Sequence, residues 1–308
     1  MNRPCSMRSF SDAIRRAGLT PPDAIEPGTL HRIPGKDKGK SNRAGWCKLF
    51  GDGLGGAFGD WSTGLAETWH AARDKPLSNA ERQAFAAKVE DAKRERSRIR
   101  QVEQAAAAVE AAKLHDRAGP AMTAHPYLMA KCITAPPGVR QADGLLIVPM
   151  VDCYTGKLRG AQTIAADGSK RFTGGMALTG CSFTIEAMQG GGPIAIVEGM
   201  ATGASVHQAT GWKTVCAVTA NNLVNIANTV RQLHPAARIV ICADNDHATE
   251  AAGRGNAGLK AGRAAAKAVL SVLVAPPANG GTDWNDYARL RGMEALRGAL
   301  MAAAGRAA

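Results

Sequence analysis

The sequence predicts an α/β protein: a parallel sheet flanked by helices in the C-terminal part, preceded by three compositionally distinct segments. Three observations carry this. From Pro193 onward the apolar runs PIAIVEG, KTVCAV, RIVICAD and SVLVAP alternate with helix-like segments after Gly199, after Asn221 and from Gly258 to Leu270. That rhythm is the mark of βαβ units whose strands are covered on both faces. Residues 78–117 contain no Gly or Pro and are rich in Ala, Glu, Lys, Arg and Gln, which predicts one long helix. Residues 28–69 are rich in Gly and aromatics, which predicts short strands joined by tight turns around a small core.

Taken in chain order, residues 1–20 read as a short helix ended by Pro21-Pro22. The stretch GWCKLFGDGLGGAFGDWSTG then holds Trp46, Phe50, Phe58 and Trp61 among seven glycines. Ser78 followed by Glu81 forms a capping box for the long helix, which reads as a solvated spacer. Beyond Gly119-Pro120, HPYLMAKCI suggests a short helix, and LLIVPMVD and KLRGAQTIA suggest two strands around a turn at Thr155-Gly156. The expected organisation is therefore 1–77, a small Gly- and aromatic-rich domain; 78–119, a helical linker; 120–190, a further compact subdomain; and 191–308, the α/β domain.

Bulk properties narrow the function. The 308 residues carry a formal charge of +12, with a pI near 9.6, which favours polyanionic partners through counterion release. No apolar run reaches the ~18 residues of a membrane span, and the N-terminus lacks the apolar core of a secretory signal. The seven cysteines (Cys5, Cys47, Cys132, Cys153, Cys181, Cys216 and Cys242) are scattered and never form CxxC. They read as reduced thiols of a cytoplasmic protein. GKDKGKS, from Gly35 to Ser41, looks like a phosphate-binding loop. However, Pro34 stands where its first glycine belongs and no apolar strand precedes it, so it reads as a basic loop.

The chemistry concentrates on acidic residues. In open parallel sheets, ligands bind beyond the carboxyl ends of the strands. Glu198 lies there after the first strand, and Asp244 and Asp246 after the third. Clustered carboxylates are costly without a cation, which points to Mg2+ or Mn2+.

IAIVEGMATGASV followed by RIVICADND resembles the two signature motifs of the Toprim domain, shared by bacterial-type primases, topoisomerases and some nucleases. The resemblance implies that Glu198 assists proton transfer or metal binding and that Asp244 and Asp246 hold the metal. GTDWNDYARL is similar to the acidic segment that follows in primases, with Asp283 the best match and Asp286 a weaker one. The upstream segments HPYLMAKCI, LLIVPMVDCYTGKLRGAQTI and DGSKRFTGG resemble the basic subdomain preceding Toprim in DnaG-type primases. Their order and spacing are closest to those of zinc-less plasmid and phage primases.

That resemblance puts Lys170 and Arg171 beside the active site and Arg159 on the hairpin; Asn222, at the end of the second strand, is placed either to contact nucleotide or to cap the following helix. It implies a DNA primase that makes short RNA primers on single-stranded DNA from ribonucleoside triphosphates, for plasmid or phage replication. The N-terminus departs from cellular primases. His31 and Cys47 lack paired partners at zinc spacing, so no zinc is expected. Trp46 and Trp61 are instead expected to stack on template bases. Only about twenty residues follow Asp286, so unwinding is expected to come from a separate replicative helicase; no membrane partner is expected. A metal-dependent nuclease and a non-catalytic nucleic-acid-binding module are the rival readings. A type IA topoisomerase needs more chain, and only Tyr127, Tyr154 and Tyr287 could serve as its nucleophile.

Overall fold

The computed structural model describes residues 9–72 and 76–305. The start of the expected N-terminal helix and Cys5 lie outside them. The chain divides into two compact units after Val102.

In the first unit, α1 (Phe10–Arg16) begins at Ser9. The Ser9 hydroxyl accepts from the Asp12 N–H, while the Asp12 carboxylate accepts from the Ser9 N–H. The Gly- and aromatic-rich stretch forms an antiparallel meander, β1 (Leu30–Ile33), β2 (Gly45–Leu49), β3 (Gly55–Asp60) and β4 (Leu65–His70). Phe10, Ile14, Ile33, Cys47 and Phe58 pack on one side of it. On the other side, Trp46, Phe50 and Ala57 pack with Phe85, Val89 and Ala92 of the long helix α2 (Asn79–Arg117). Ser78 and Glu81 exchange backbone-to-side-chain bonds of 2.8 and 3.2 Å at its start. The expectation of a solvated spacer is corrected here: this end of the helix buries an apolar stripe.

In the second unit the last turns of α2 bury Ala111 against Ile147 and Ala161. The chain continues through β5 (Gly119–Pro120), α3 (Pro126–Ala130), β6 (Arg140–Ala142), β7 (Leu145–Asp152), β8 (Leu158–Ile164), β9 (Lys170–Phe172) and β10 (Cys181–Ile185). Then come β11 (Ile194–Val197), α4 (Met200–Thr210), β12 (Lys213–Cys216), α5 (Leu223–Leu233) and β13 (Ile239–Cys242). The chain ends with α6 (His247–Ala251), α7 (Ala257–Ala268), β14 (Val272–Val274), α8 (Trp284–Arg291) and α9 (Met293–Gly305).

Strands β14, β13, β11 and β12 lie side by side and run parallel. Alternate residues feed two cores. Ala195, Val197, Val240 and Cys242 pack with α4, α8 and α9; Ile194, Ile196, Ile239 and Ile241 pack with α5 and α7. Helices cover both faces, as continuous apolar strands require.

The upstream strands do not form a sheet of their own. β10 pairs antiparallel with β12 on one side and with β7 on the other, so they join one ten-stranded sheet. The buried Asn222 side chain braces this junction. It accepts from the Gly180 N–H and donates to the carbonyls of Cys181 and Ala217, all within 2.9 Å. With that bonding used inside the protein, Asn222 is neither a nucleotide contact nor the side-chain cap of α5, for which it makes no bond.

Candidate active site

The sheet delivers the acidic residues to one place. Glu198 follows β11 directly, and Asp244 stands two residues beyond β13. With Asp283 they line one part of a cavity of about 130 Å3. Lys131, Lys170, Gln162, Tyr127, Thr202 and Val218 line the rest. Val218, a β-branched residue, holds φ at 61°, a strained geometry of the kind that surrounding structure must enforce at functional sites.

The DND segment is held firmly. Asn245 donates its backbone N–H to Thr282 (2.7 Å) and its side-chain amide to Pro276 (2.8 Å). Asp246 accepts from the Gly258 N–H at 2.8 Å. Gly258 has to be glycine, because a Cβ there would come within 2.6 Å of the Asp244 carbonyl oxygen. Asp283 caps α8 by accepting from the Asp286 N–H at 2.8 Å.

The electrostatics are those of a site short of positive charge. Burial pushes the Asp244 carboxyl up to about 8, reinforced by Glu198, Asp283 and Asp246 and opposed by Lys170. Its Oδ1 is buried with no hydrogen-bond partner. Burial and Asp246 likewise raise Glu198, against a backbone hydrogen bond from Ala220 and the charge of Lys170. Lys170 is lowered by burial and by Lys131, and held up by Asp283, Asp244 and Glu198. Its Nζ lies 5.9 Å from the Tyr127 ring centroid.

An orphaned carboxylate oxygen among other carboxylates fits a hard divalent cation. Among the described residues, no three His, Cys, Asp or Glu side chains already converge as a metal cage. Glu198, Asp244 and Asp283 along one cavity suit Mg2+, which takes one or two carboxylates and completes its shell with water and phosphate.

Other expected site residues lie elsewhere. Pairing of Ile164 with Lys170 and Thr163 with Arg171 puts Lys170 on the Gln162 face and Arg171 on the opposite face, although both residues keep solvent-exposed surface. Arg159 sits in a register shift near the far end of β8 and pairs with Asp152 at 3.3 Å. Asp286 is taken up by Thr282 (3.0 Å), Lys131 (3.8 Å) and Arg289 (3.7 Å).

In the first unit Trp46 is 3% exposed and belongs to the core beneath Arg96, so it offers no face for base stacking. Trp61 is half-buried, with Arg32 and Arg100 at 4.1 and 5.6 Å from its ring. His31 accepts from the Glu26 N–H, and burial pushes the Cys47 thiol up to about 12. Both side chains are thus built into the small domain.

Lys131, Gln162 and Thr202 are cavity residues that the sequence did not single out. Gln162 carried the one available signal: a polar residue between Gly160 and Ile164 on the inward-facing positions of its strand.

Residues 193–294 match the Toprim domain family. The sequence as a whole is similar to two Escherichia coli proteins, each a DNA primase TraC, at 29% and 27% identity over 87% of this chain. It spans only 19% and 26% of their lengths. Two solved structures are also similar. One is the Aquifex aeolicus primase with zinc-binding and RNA polymerase domains (14% identity, 96% of this chain and 84% of that chain, TM-score 0.39). The other holds primase domains of bacteriophage T7 gp4 with the lagging-strand DNA polymerase (16% identity, 58% and 89%, TM-score 0.38). Among the described residues, no helix is long and apolar enough to cross a membrane.

Proposed function

We propose that this chain is the synthetic core of a DNA primase, making short RNA primers on single-stranded DNA by metal-dependent nucleotidyl transfer. The observation that carries this is the cavity in which Glu198, Asp244 and Asp283 face Lys131 and Lys170. The similarity to the TraC primases supports the choice of reaction.

Asp244, Asp246 and Asp283 would hold Mg2+ or Mn2+, which when bound neutralises phosphate charge and stabilises the attacking and leaving oxygens. Lys170 and Lys131 bind the triphosphate by charge-assisted hydrogen bonds. Glu198, its proton affinity raised by burial, receives the proton of the attacking 3′-hydroxyl. The 3′-oxygen bonds to the α-phosphorus, the bond to the β-phosphate oxygen breaks, and pyrophosphate leaves.

In this reading the segment 1–77 contacts template through its basic surface and Trp61, 120–190 supplies the nucleotide lysines, and 191–308 the carboxylates. The protein acts in the cytoplasm, for plasmid or phage replication, with a separate helicase.

The test is incubation of the protein with single-stranded DNA, Mg2+ or Mn2+ and labelled ribonucleotides, with products sized on a gel. Short labelled products that require both DNA and metal are expected. Degradation of the template without nucleotide addition would replace this reading with a nuclease.

A further inference from the structure

Gln162 stands in the middle of β8 and is 4% exposed. It lines the cavity shared by Glu198, Asp244 and Lys170, and among the described residues its amide has no hydrogen-bond partner. An amide with no bond inside the fold, held at the wall of a cavity beside carboxylates and lysines, is placed to bond whatever that cavity holds.

We propose that Gln162 reads a ribose hydroxyl of the nucleotide held beside the carboxylates, and so separates ribonucleotides from deoxyribonucleotides. The proposal rests on the polymerising reading of the site. Three considerations select the sugar.

Phosphate oxygens only accept, and Lys131 and Lys170 already offer them charged donors in the same cavity. The Gln162 carbonyl would repel a phosphate, whereas a hydroxyl uses both halves of the amide. A base is excluded because template-directed synthesis must accept all four, and a single fixed amide would favour one edge pattern. Size agrees: at about 130 Å3 the cavity is below the ~300 Å3 of sites that enclose a drug-sized ligand. It admits a fragment lying next to the metal-bound phosphate, which in a nucleotide is the sugar. Tyr127, whose hydroxyl is buried without a partner, forms part of the same wall.

The experiment compares wild type with Gln162→Met, which keeps length and volume and removes both amide groups. Each protein is given ATP or dATP with Mg2+ and single-stranded DNA, and incorporation is measured alongside equilibrium binding of the two nucleotides. Wild type is expected to favour the ribonucleotide, because a site built for a hydroxyl rejects the analogue lacking it. In Gln162→Met the preference should fall by roughly tenfold through weaker use of ATP, with dATP use unchanged.

The ratio is taken within one sample, so it does not depend on the folded fraction; Gln162→Leu serves if the Met variant aggregates. An unchanged ratio, an equal loss with both nucleotides, or no preference in wild type would overturn the proposal. If wild type adds no nucleotide at all, the polymerase reading fails on its own. The ATP-to-dATP binding ratio then judges Gln162, with the same tenfold change expected and an unchanged ratio overturning it.

Discussion

Each unit has an aspartate at the end of a central strand, and the two are built in opposite ways. Asp60, at the end of β3, is fully buried. It accepts from the Ser62 hydroxyl (2.7 Å) and from the backbone N–H groups of Ser62 (2.7 Å) and Lys36 (2.8 Å). Burial alone would raise its carboxyl, but these bonds and the charge of Lys38 hold it below the usual range. Asp244, beyond β13, has an orphan oxygen, three acidic neighbours and a carboxyl raised to about 8. The first carboxylate is satisfied by its own fold, where it pins the basic loop Gly35–Ser41. The second is satisfied only by something the chain does not supply.

The two aspartates should differ most under mutation. Asp244→Asn should abolish primer synthesis, a loss of about a thousandfold or more, without lowering the melting temperature, because the amide relieves repulsion among Glu198, Asp246 and Asp283. Asp60→Asn should do the reverse. Losing charge-assisted bonds costs about 1.5–3 kcal/mol, which lowers the melting temperature by several degrees, while synthesis per folded molecule persists. A thermal melt and a primer gel on both variants check this; a stability loss in Asp244→Asn would remove the distinction.

The same contrast applies to the tryptophans. Trp46→Ala should cost about 3–5 kcal/mol, as for a buried aromatic. Trp61→Ala should cost less and reduce single-stranded DNA affinity in a filter-binding assay.

In the acidic cavity, Lys170→Ala should raise the nucleotide requirement by roughly tenfold to a hundredfold, the loss of one charge-assisted contact. Template binding should change little in the same assay. A nuclease has no incoming nucleotide, so there DNA binding and cleavage would weaken together.

The pH dependences run in opposite directions. Unfolded aspartates titrate near ~3.9. Between about pH 4 and 8 the metal-free native state keeps a proton on Asp244 that the unfolded chain has released. The stability linked to this group therefore falls as pH rises through that window. For Asp60 the native carboxyl is depressed, so its contribution is present above about pH 4 and is lost as pH falls below it. Melts of Asp244→Asn and Asp60→Asn from pH 3 to 9 read the two trends as differences from wild type.

The sequence disclosed the α/β half well because its signals are local. Four-residue apolar runs bounded by Gly and Pro can be little else than buried parallel strands, and the residues just past them are fixed by topology. It disclosed less where the outcome depends on pairing. CSFTI becomes β10 only because β12 and β7 lie on either side of it. The same junction makes Asn222 a buried brace where the sequence suggested a helix cap. Lys170 and Arg171 are adjacent in sequence, and only the register with β8 decides that one faces the cavity and the other the surface. Trp46 and Trp61 share a composition, but their burial follows from where the α2 side chains settle.

Completion of Asp244 by a divalent cation is tested most directly by Mn2+ binding followed by electron paramagnetic resonance. Wild type and Asp60→Asn should titrate alike, and Asp244→Asn should bind at least about tenfold more weakly, as expected for loss of a charged ligand. Equal Mn2+ affinity in Asp244→Asn and wild type would contradict the account.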